Sequence, residues 1–382
     1  MFKIPIDTLS ETSFCSIPKQ GQRAQLLRAA KLIIWDEALM HHRHTHEALD
    51  QTLRDLRDQD SPFGGMTVVF GGDLRQILPI VPAGTQEDIV NASLQKSYFW
   101  THTILKLWKN EPLDQGSDQE EFTKWLLRIR EGQDVAPDGT IAIPQEICVW
   151  SKSDIISSIY PNINGPLPSA KYFSERIILT ARNIDVDDVN KHVLACMPGN
   201  SRTYSSVDSV VSETGVDDKE LIDPDHLTPE YLHTLNTSGL PPGELVVKLG
   251  CPLILLQNIF PSQGLCNGTH LLLRRMMDRV LEVEILSGDH HGELTFIPCI
   301  TFTPSGKQSE HTFQLWRCQF PIRLAFAISI NKAQGQSVDI VGSDLRMPVF
   351  THELMLCFQG VPQATMSKFY CLKMMDHHEL LT

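Results

Sequence analysis

Two short apolar runs flanking one amphipathic stretch constrain the fold of this chain more than any other feature. Leu32-Ile33-Ile34-Trp35 is apolar and β-leaning, and it ends at Asp36-Glu37. From Ala38 to about Asp58 the rhythm is helical, with Leu49, Leu53 and Leu56 set among charges. Met66 to Phe70 is a second apolar run, ending at Gly71-Gly72-Asp73. Parallel strands need a crossover between them, and a helix supplies it. Strand, helix and strand at this spacing predict an α/β unit with a parallel sheet. Open sheets of this kind bind ligands in the crevice beyond the carboxyl ends of their strands. Both runs deliver their acids and glycines to that end.

The rest of the chain divides by composition. A helix is predicted over Phe122–Ile129, stopping near Gly132. Pro137, Pro144, Pro161, Pro166 and Pro168 then fall among Asp, Ser and Asn, which reads as a connection. The domains are therefore drawn as 1–135, a connection at 136–174, and 175–382. Ile177-Ile178-Leu179 predicts a strand and Asp185–Ala195 a helix. Residues 198–243 read as a long polar surface excursion. From Glu244 to about Phe320, short apolar runs separated by turns predict a small antiparallel β module. Leu324 to Ile330 predicts a final apolar strand, followed by Asn331-Lys332-Ala333-Gln334-Gly335.

Composition excludes several classes. The chain has 382 residues, enough for two or three cored domains. With 42% apolar and 21% charged residues it is not a disordered chain. No apolar run approaches the roughly 20 residues of a membrane-spanning helix, and the N-terminus lacks the pattern of a signal peptide. The net charge of −13 argues against a nonspecific nucleic-acid coat but leaves room for a local basic channel. Nine scattered cysteines without a CxxC pair read as reduced thiols inside a cell. The histidines of HHRHTHE at 41–47 include no HExxH and read as an exposed polar helix face rather than a zinc site.

Chemistry concentrates in the two strand ends. Paired acids beyond a buried parallel strand can divide the work of nucleotide hydrolysis, one holding Mg²⁺ and the other orienting or deprotonating water. Asp36-Glu37 could equally start and cap the next helix. After the second strand, Gly71-Gly72 permit a close turn, and Gln76 is an amide within reach of a phosphate. The two motifs one helix apart are far more specific than either alone.

WDEA followed by GGDLRQILP resembles the Walker B and third motifs of superfamily-one DNA helicases, and most closely those of the PIF family in its Helitron-transposon branch. The similarity continues through FKIPI near the start, FTKWLLRIREG at 122–132 and ERIILTARNIDVDDVN at 175–190. It extends through LGCPLILLQNIFPSQGLCNGTHLLL at 249–273 and QFPIRLAFAISINKAQGQS at 319–337. The resemblance implies two RecA-like α/β domains, with the antiparallel β module inserted in the second. It implies an ATP-dependent DNA helicase that uses Mg²⁺ and ATP and acts on single-stranded and forked duplex DNA. DNA repair, recombination and telomere maintenance, in nucleus or mitochondrion, are the roles that go with it. Position by position, Asp36 matches the Mg²⁺ acid and Glu37 the catalytic base. Gln76 matches the γ-phosphate sensor, and Asp73 and Arg75 belong to the same nucleotide-binding motif. Gln334 and Gly335 match the nucleotide side of the fifth motif, and Asn331, Lys332 and Ser337 its DNA side. Asn331 stands where the wider family has histidine. Asn183 and Asn190, and the turn of Gly264, Asn267, Gly268 and Thr269, fall in matching blocks and read as structural. Arg274, Arg275 and Arg279 add local basicity to the β module, as a DNA lining or a solvated strand face.

Three departures from the family pattern are as informative. No GxxxxGK[ST] phosphate loop occurs, the sole Gly-Lys pair being Gly306-Lys307. Since FKIPI begins at residue 2, the expectation is a chain that starts after the P-loop, with an incomplete, less stable first domain. Glu111-Pro112 and Gly360 stand where the family has arginines that reach the γ-phosphate. An arginine finger contributes about 10³–10⁵ in rate in comparable phosphoryl transfer. The expectation is therefore a helicase by descent whose chain alone does not turn over ATP. The alternatives are an inactive fragment or transposon relic, and a non-catalytic binder of single-stranded DNA.

Overall fold

The computed structural model describes residues 2–5, 9–72, 84–100, 148–149, 151–166, 168–211, 228–235, 240–302, 314–333, 338–346 and 369–372, with scattered short stretches between 79 and 143. Backbone contacts divide the chain into two units, Met1–Pro112 and Leu113–Thr382. Half of the predicted 122–129 helix lies outside the described residues, and its described residues 124–125 and 128–129 are helical.

The first unit runs α1 (Gln22–Ala29), β1 (Leu32–Trp35), α2 (Arg43–Arg57), β2 (Thr67–Phe70) and α3 (Gln86–Ala92). β1 and β2 pair in parallel, Leu32 opposite Thr67 and Trp35 opposite Phe70. Leu49, Leu53 and Leu56 recur at helical spacing, so α2 buries one stripe against Ile33 and Phe63. Each such leucine contributes roughly 1.5–3 kcal/mol. Asp50 is buried on the same helix and is held by the Arg54 guanidinium at 2.9 Å, by the Phe63 N–H and by the Tyr98 hydroxyl. The turn into β2 is left-handed at Phe63 and Gly64. A Cβ on Gly64 would come within 2.5 Å of the Leu53 carbonyl oxygen, so the close approach of this turn to α2 requires glycine.

The two faces of the β1–β2 pair differ sharply. Ile33, Trp35, Val68 and Phe70 pack into the core. On the other face Leu32, Ile34 and Val69 are exposed, Ile34 by 72%. Parallel strands are ordinarily covered on both faces.

The second unit runs β3 (Cys148–Val149), α4 (Lys152–Ile159), α5 (Ala170–Ser174), β4 (Arg176–Thr180), α6 (Asn183–Cys196), β5 (Arg202–Ser205), β6 (Val207–Val211), α7 (Pro229–Thr234) and β7 (Glu244–Val247). It continues with β8 (Pro252–Leu255), β9 (His270–Met276), β10 (Val280–Ile285), β11 (Leu294–Pro298), β12 (Ile300–Phe302), β13 (Gln314–Gln319), β14 (Ile322–Leu324), β15 (Ala327–Ser329), β16 (Ile340–Asp344) and β17 (Phe369–Leu372). A parallel sheet has the order β15-β4-β16-β17-β3. An antiparallel sheet has the order β11-β10-β9-β8-β14, and β12-β13-β6 and β5-β7 form smaller sheets. One apolar cluster joins the parallel and antiparallel parts, with Ile178 and Val189 from the first and Leu253, Leu271 and Val283 from the second.

Three sequence expectations change here. The stretch 136–174 is more than a connection, because Ile155, Ile159, Tyr160 and Phe173 lie in the core. Pro and Ser in it cap and space two short helices rather than marking a linker. Gly342 lets α4 close on the sheet, since a Cβ there would come within 2.7 Å of Ile159 Cγ1. The polar stretch 198–243 is likewise structural where it is described. Arg317 on β13, wholly buried, donates to the Asp208 carboxylate and to the carbonyls of Leu232, Leu235 and Pro241. Gln319 donates to the Tyr204 carbonyl at 3.0 Å. Two buried polar side chains thus satisfy the carbonyls of a segment too polar to look like core. Finally, the apolar run 324–330 is divided between two sheets, β14 being antiparallel to β8 and β15 parallel to β4. It is not the last strand, because β16 and β17 follow.

Candidate nucleotide and nucleic-acid sites

In the first unit the site grows from the ends of two parallel strands. The Gly71 N–H donates to the Trp35 carbonyl at 2.8 Å, and the Ala38 N–H donates to the Gly71 carbonyl at 2.9 Å. These bonds hold the turn after β1 against the turn after β2. Asp36 is exposed, and its Oδ1 accepts the Glu37 N–H at 3.0 Å. A Cβ on Gly71 would stand 3.1 Å from that oxygen, so glycine leaves the carboxylate open. Glu37 has φ +50°, a left-handed conformation that is uncommon for a residue with a side chain. Such strain is held by its surroundings and tends to occur at functional sites. The helix-start alternative holds in part, since Glu37 is the N-cap residue of a 3₁₀ turn at Ala38–Met40 but makes no side-chain cap bond there, and at the start of α2 the His42 Nδ1 accepts the His44 N–H.

An aromatic cluster forms around Trp35, the residue before the acids. Trp35 stacks on Phe2 at 5.8 Å and meets His46 at 4.6 Å. The HHRHTHE stretch is therefore not an exposed polar face throughout, because His46 and Glu47 are buried. Neither ring nitrogen of His46 has a hydrogen-bond partner among the described residues. Burial, aided by His41, pushes its pKa down to about 3, so the ring is neutral. The Glu47 carboxylate accepts the Ser97 hydroxyl at 2.8 Å. No group of three metal-capable side chains occurs among the described residues. Asp73, Arg75 and Gln76 lie outside the described residues.

In the second unit, β15 runs into a single turn of 3₁₀ helix at Ile330–Ala333. Asn331 and Lys332 sit there, at the carboxyl end of the parallel sheet. Gln334, Gly335 and Ser337 lie outside the described residues. The Asn331 Oδ1 and the Arg323 Nε are buried without partners among the described residues. The Lys332 ammonium is held below its usual range by partial enclosure and then by Arg323, with Asp187 opposing. Two cations with one nearby carboxylate suit an anion such as a phosphate. Arg323 was not legible as a site residue, since it sits in an apolar run whose only signal is the charge itself.

Other expected positions are structural. Asn183 opens α6, and Asn190 is buried and bonds the backbone of Leu324 and Ala327. The 264–269 turn is held locally, with the Thr269 hydroxyl donating to the Gly264 carbonyl at 2.8 Å and the Asn258 Oδ1 from the preceding segment accepting the Asn267 N–H at 2.7 Å. Arg274 is paired with Glu284. No helix among the described residues is long and apolar enough to cross a membrane.

Comparison with known proteins bears on the family and the fold. Residues 1–139 match the family described as PIF1-like helicase, and residues 230–276 match the DNA helicase Pif1, 2B domain. A curated relative from Xenopus laevis, ATP-dependent DNA helicase PIF1, is 24% identical over 325 residues, covering 82% of this chain and 42% of its own length. The chain spans less than two thirds of the length of the curated relatives it matches. A Bacteroides Pif1 helicase solved with ADP-AlF3 and ssDNA aligns with a TM-score of 0.65 at 19% identity, over all of this chain and 78% of that one. A structure of two coordinating Pif1 helicases unwinding forked dsDNA aligns with a TM-score of 0.64 at 20% identity, over 97% of this chain and 76% of that one. The fold is that of Pif1 helicases, and the chain is similar in sequence to the PIF1-like helicases at low identity.

Proposed function

We propose that this chain carries the acid half of an ATP-hydrolysing DNA helicase core of the PIF1 type, in its Helitron-like branch. The observation that carries this reading is the open Asp36 carboxylate beside Gly71, next to Glu37 in a strained turn at the end of a parallel strand. Hard carboxylate oxygens suit Mg²⁺, and the glycine leaves room for it. Asp36 would hold that ion, which when bound supplies charge neutralisation for the phosphates of ATP. Glu37 would orient the attacking water and accept its proton. By the sequence resemblance, Asp73, Arg75 and Gln76 would serve the nucleotide from the first unit, and Gln334 and Gly335 would belong to the nucleotide motif of the second. Single-stranded and forked duplex DNA would run past Asn331, Lys332 and Ser337. DNA repair, recombination and telomere maintenance, in nucleus or mitochondrion, are the roles this reading carries.

The second part of the proposal is that these 382 residues alone do not hydrolyse ATP at a helicase rate. They contain no GxxxxGK[ST], and Glu111-Pro112 and Gly360 replace two arginines of the pattern. An inactive relic, or a single-strand binder built on the second unit, is the form in which this chain would then act by itself.

The test is Mg²⁺-dependent ATPase activity with single-stranded DNA, run against Glu37→Gln. The chain alone is expected to match the variant. Fused behind a strand, P-loop and helix, and with arginines restored at the Glu111-Pro112 and Gly360 positions, it is expected to gain DNA-stimulated turnover that Glu37→Gln abolishes. Turnover by the unfused chain would overturn the inactivity proposal. A folded fusion that binds ATP and hydrolyses it equally well with and without the Glu37→Gln change would overturn the role of Glu37.

A further inference from the structure

The cysteines, scattered in sequence, are not all scattered in space. Cys299 and Cys318 are 19 residues apart, and their sulfurs lie 3.4 Å from each other. Both side chains are half-buried and reachable from solvent. Their position in the β module is particular. Cys299 is the residue at which the chain leaves β11, paired with β10, and enters β12, paired with β13. Its N–H still donates to the Arg279 carbonyl at 3.1 Å, on the side of the larger sheet. Cys318 lies near the end of β13, opposite Thr301 and Val207. Shortly beyond Phe320 the chain enters β14, which pairs with β8 in the larger sheet. The two thiols therefore meet where both chain segments cross from one sheet to the other.

We propose that Cys299 and Cys318 form a reversible disulfide that staples this crossing, with a low-molecular-weight disulfide such as oxidised glutathione as oxidant. A bond needs the sulfurs to close to about 2.05 Å, a movement within reach of χ1 rotation on two adjacent strands. Burial and the neighbouring Cys318 push the Cys299 thiol up to about 12, so it stays protonated at neutral pH. The thiolate is the nucleophile. The thiolate of one of the two cysteines attacks one sulfur of the oxidant, forming a mixed disulfide and releasing one small thiolate. The other cysteine then loses its proton to solvent, and its sulfur attacks the first cysteine's Sγ and expels the second small thiolate. The protein gives up two electrons and two protons, and one small disulfide becomes two thiols. The bond closes the loop between β12 and β13 and ties the two sheets together.

The experiment incubates the purified whole chain in glutathione buffers of increasing oxidation, quenches with a thiol-blocking reagent and maps the peptides by mass spectrometry. The expected result is a Cys299–Cys318 cross-link, reversed by reduced glutathione. Cys299→Ser, checked for folding by circular dichroism, is expected to stop at a glutathione adduct on Cys318. Absence of the cross-link in the folded chain overturns the proposal, as does a cross-link that forms only in urea.

Discussion

Asn190 on α6 accepts the Ala327 N–H through Oδ1 at 2.8 Å and donates through Nδ2 to the Ala327 carbonyl at 3.0 Å. A second donation, at 3.2 Å, reaches the Leu324 carbonyl. One amide thus satisfies the backbone where the apolar run 324–330 turns out of the antiparallel sheet and into the parallel one. Asn190→Ala leaves these buried groups unpaired, at roughly 1–3 kcal/mol for each. Amide hydrogen exchange at Ala325–Ile328 is expected to accelerate about tenfold or more, with β9 and β10 unchanged. Unaltered protection at Ala327 would show that the amide is dispensable.

The Arg317–Asp208 pair is the second buried joint. Both side chains are withdrawn from solvent, at 0% and 1% exposure, so removing one partner strands the other. Arg317→Met is expected to cost about 3–5 kcal/mol, and the double variant with Asp208→Leu distinctly less. Chemical denaturation followed by limited proteolysis near Leu232–Pro241 would measure both. Equal losses in the single and double variants would mean that the backbone carbonyls, rather than the ion pair, set the cost.

His46 gives the first unit an acid sensitivity of defined sign. Its folded pKa, about 3, lies below the ordinary 6.5. Between those values the unfolded chain binds a proton that the folded chain does not. Stability from this group is therefore present above about pH 6.5 and falls as pH drops, by up to about 1.4 kcal/mol per unit. His46→Phe keeps an aromatic ring against Trp35 and is expected to flatten the fall between about pH 6.5 and pH 5. Thermal unfolding across that range, with and without the substitution, decides it. Parallel curves would assign the sensitivity to other groups.

Arg323 and Lys332 bear on the proposed DNA track. If both meet phosphates, each change to alanine weakens single-stranded DNA binding about equally for all sequences. Each is also expected to reduce the slope of log affinity against log salt by about 0.7. Fluorescence anisotropy with pyrimidine and mixed oligonucleotides at several salt concentrations measures this. A normal slope in both variants would remove the pair from the track.

Much of the fold was legible in the residues, and the reason is local. Leucines at helical spacing wrote α2, and short apolar runs wrote β1, β2, β4 and the strands of the β module. The parallel pairing of β1 and β2 followed from the helix between them. The polar stretch 198–243 misled because its stability comes from Arg317 and Gln319, far later in the chain. Composition reports what a segment contains and not what reaches it.

The acid pair, the glycines after the second strand and the order of the helicase-like blocks are each written in contiguous residues, so the chain could be read for them directly. The same holds for the missing P-loop motif. Other relations exist only in the folded molecule. Glu37 is left-handed, His46 is buried under Trp35, and Arg323 neighbours Lys332. Folding likewise brings Cys299 to Cys318 and Asn190 to Ala327. Those relations join residues that share no local pattern. They arise from which sheet each strand enters, and the long-range packing of each unit makes that choice.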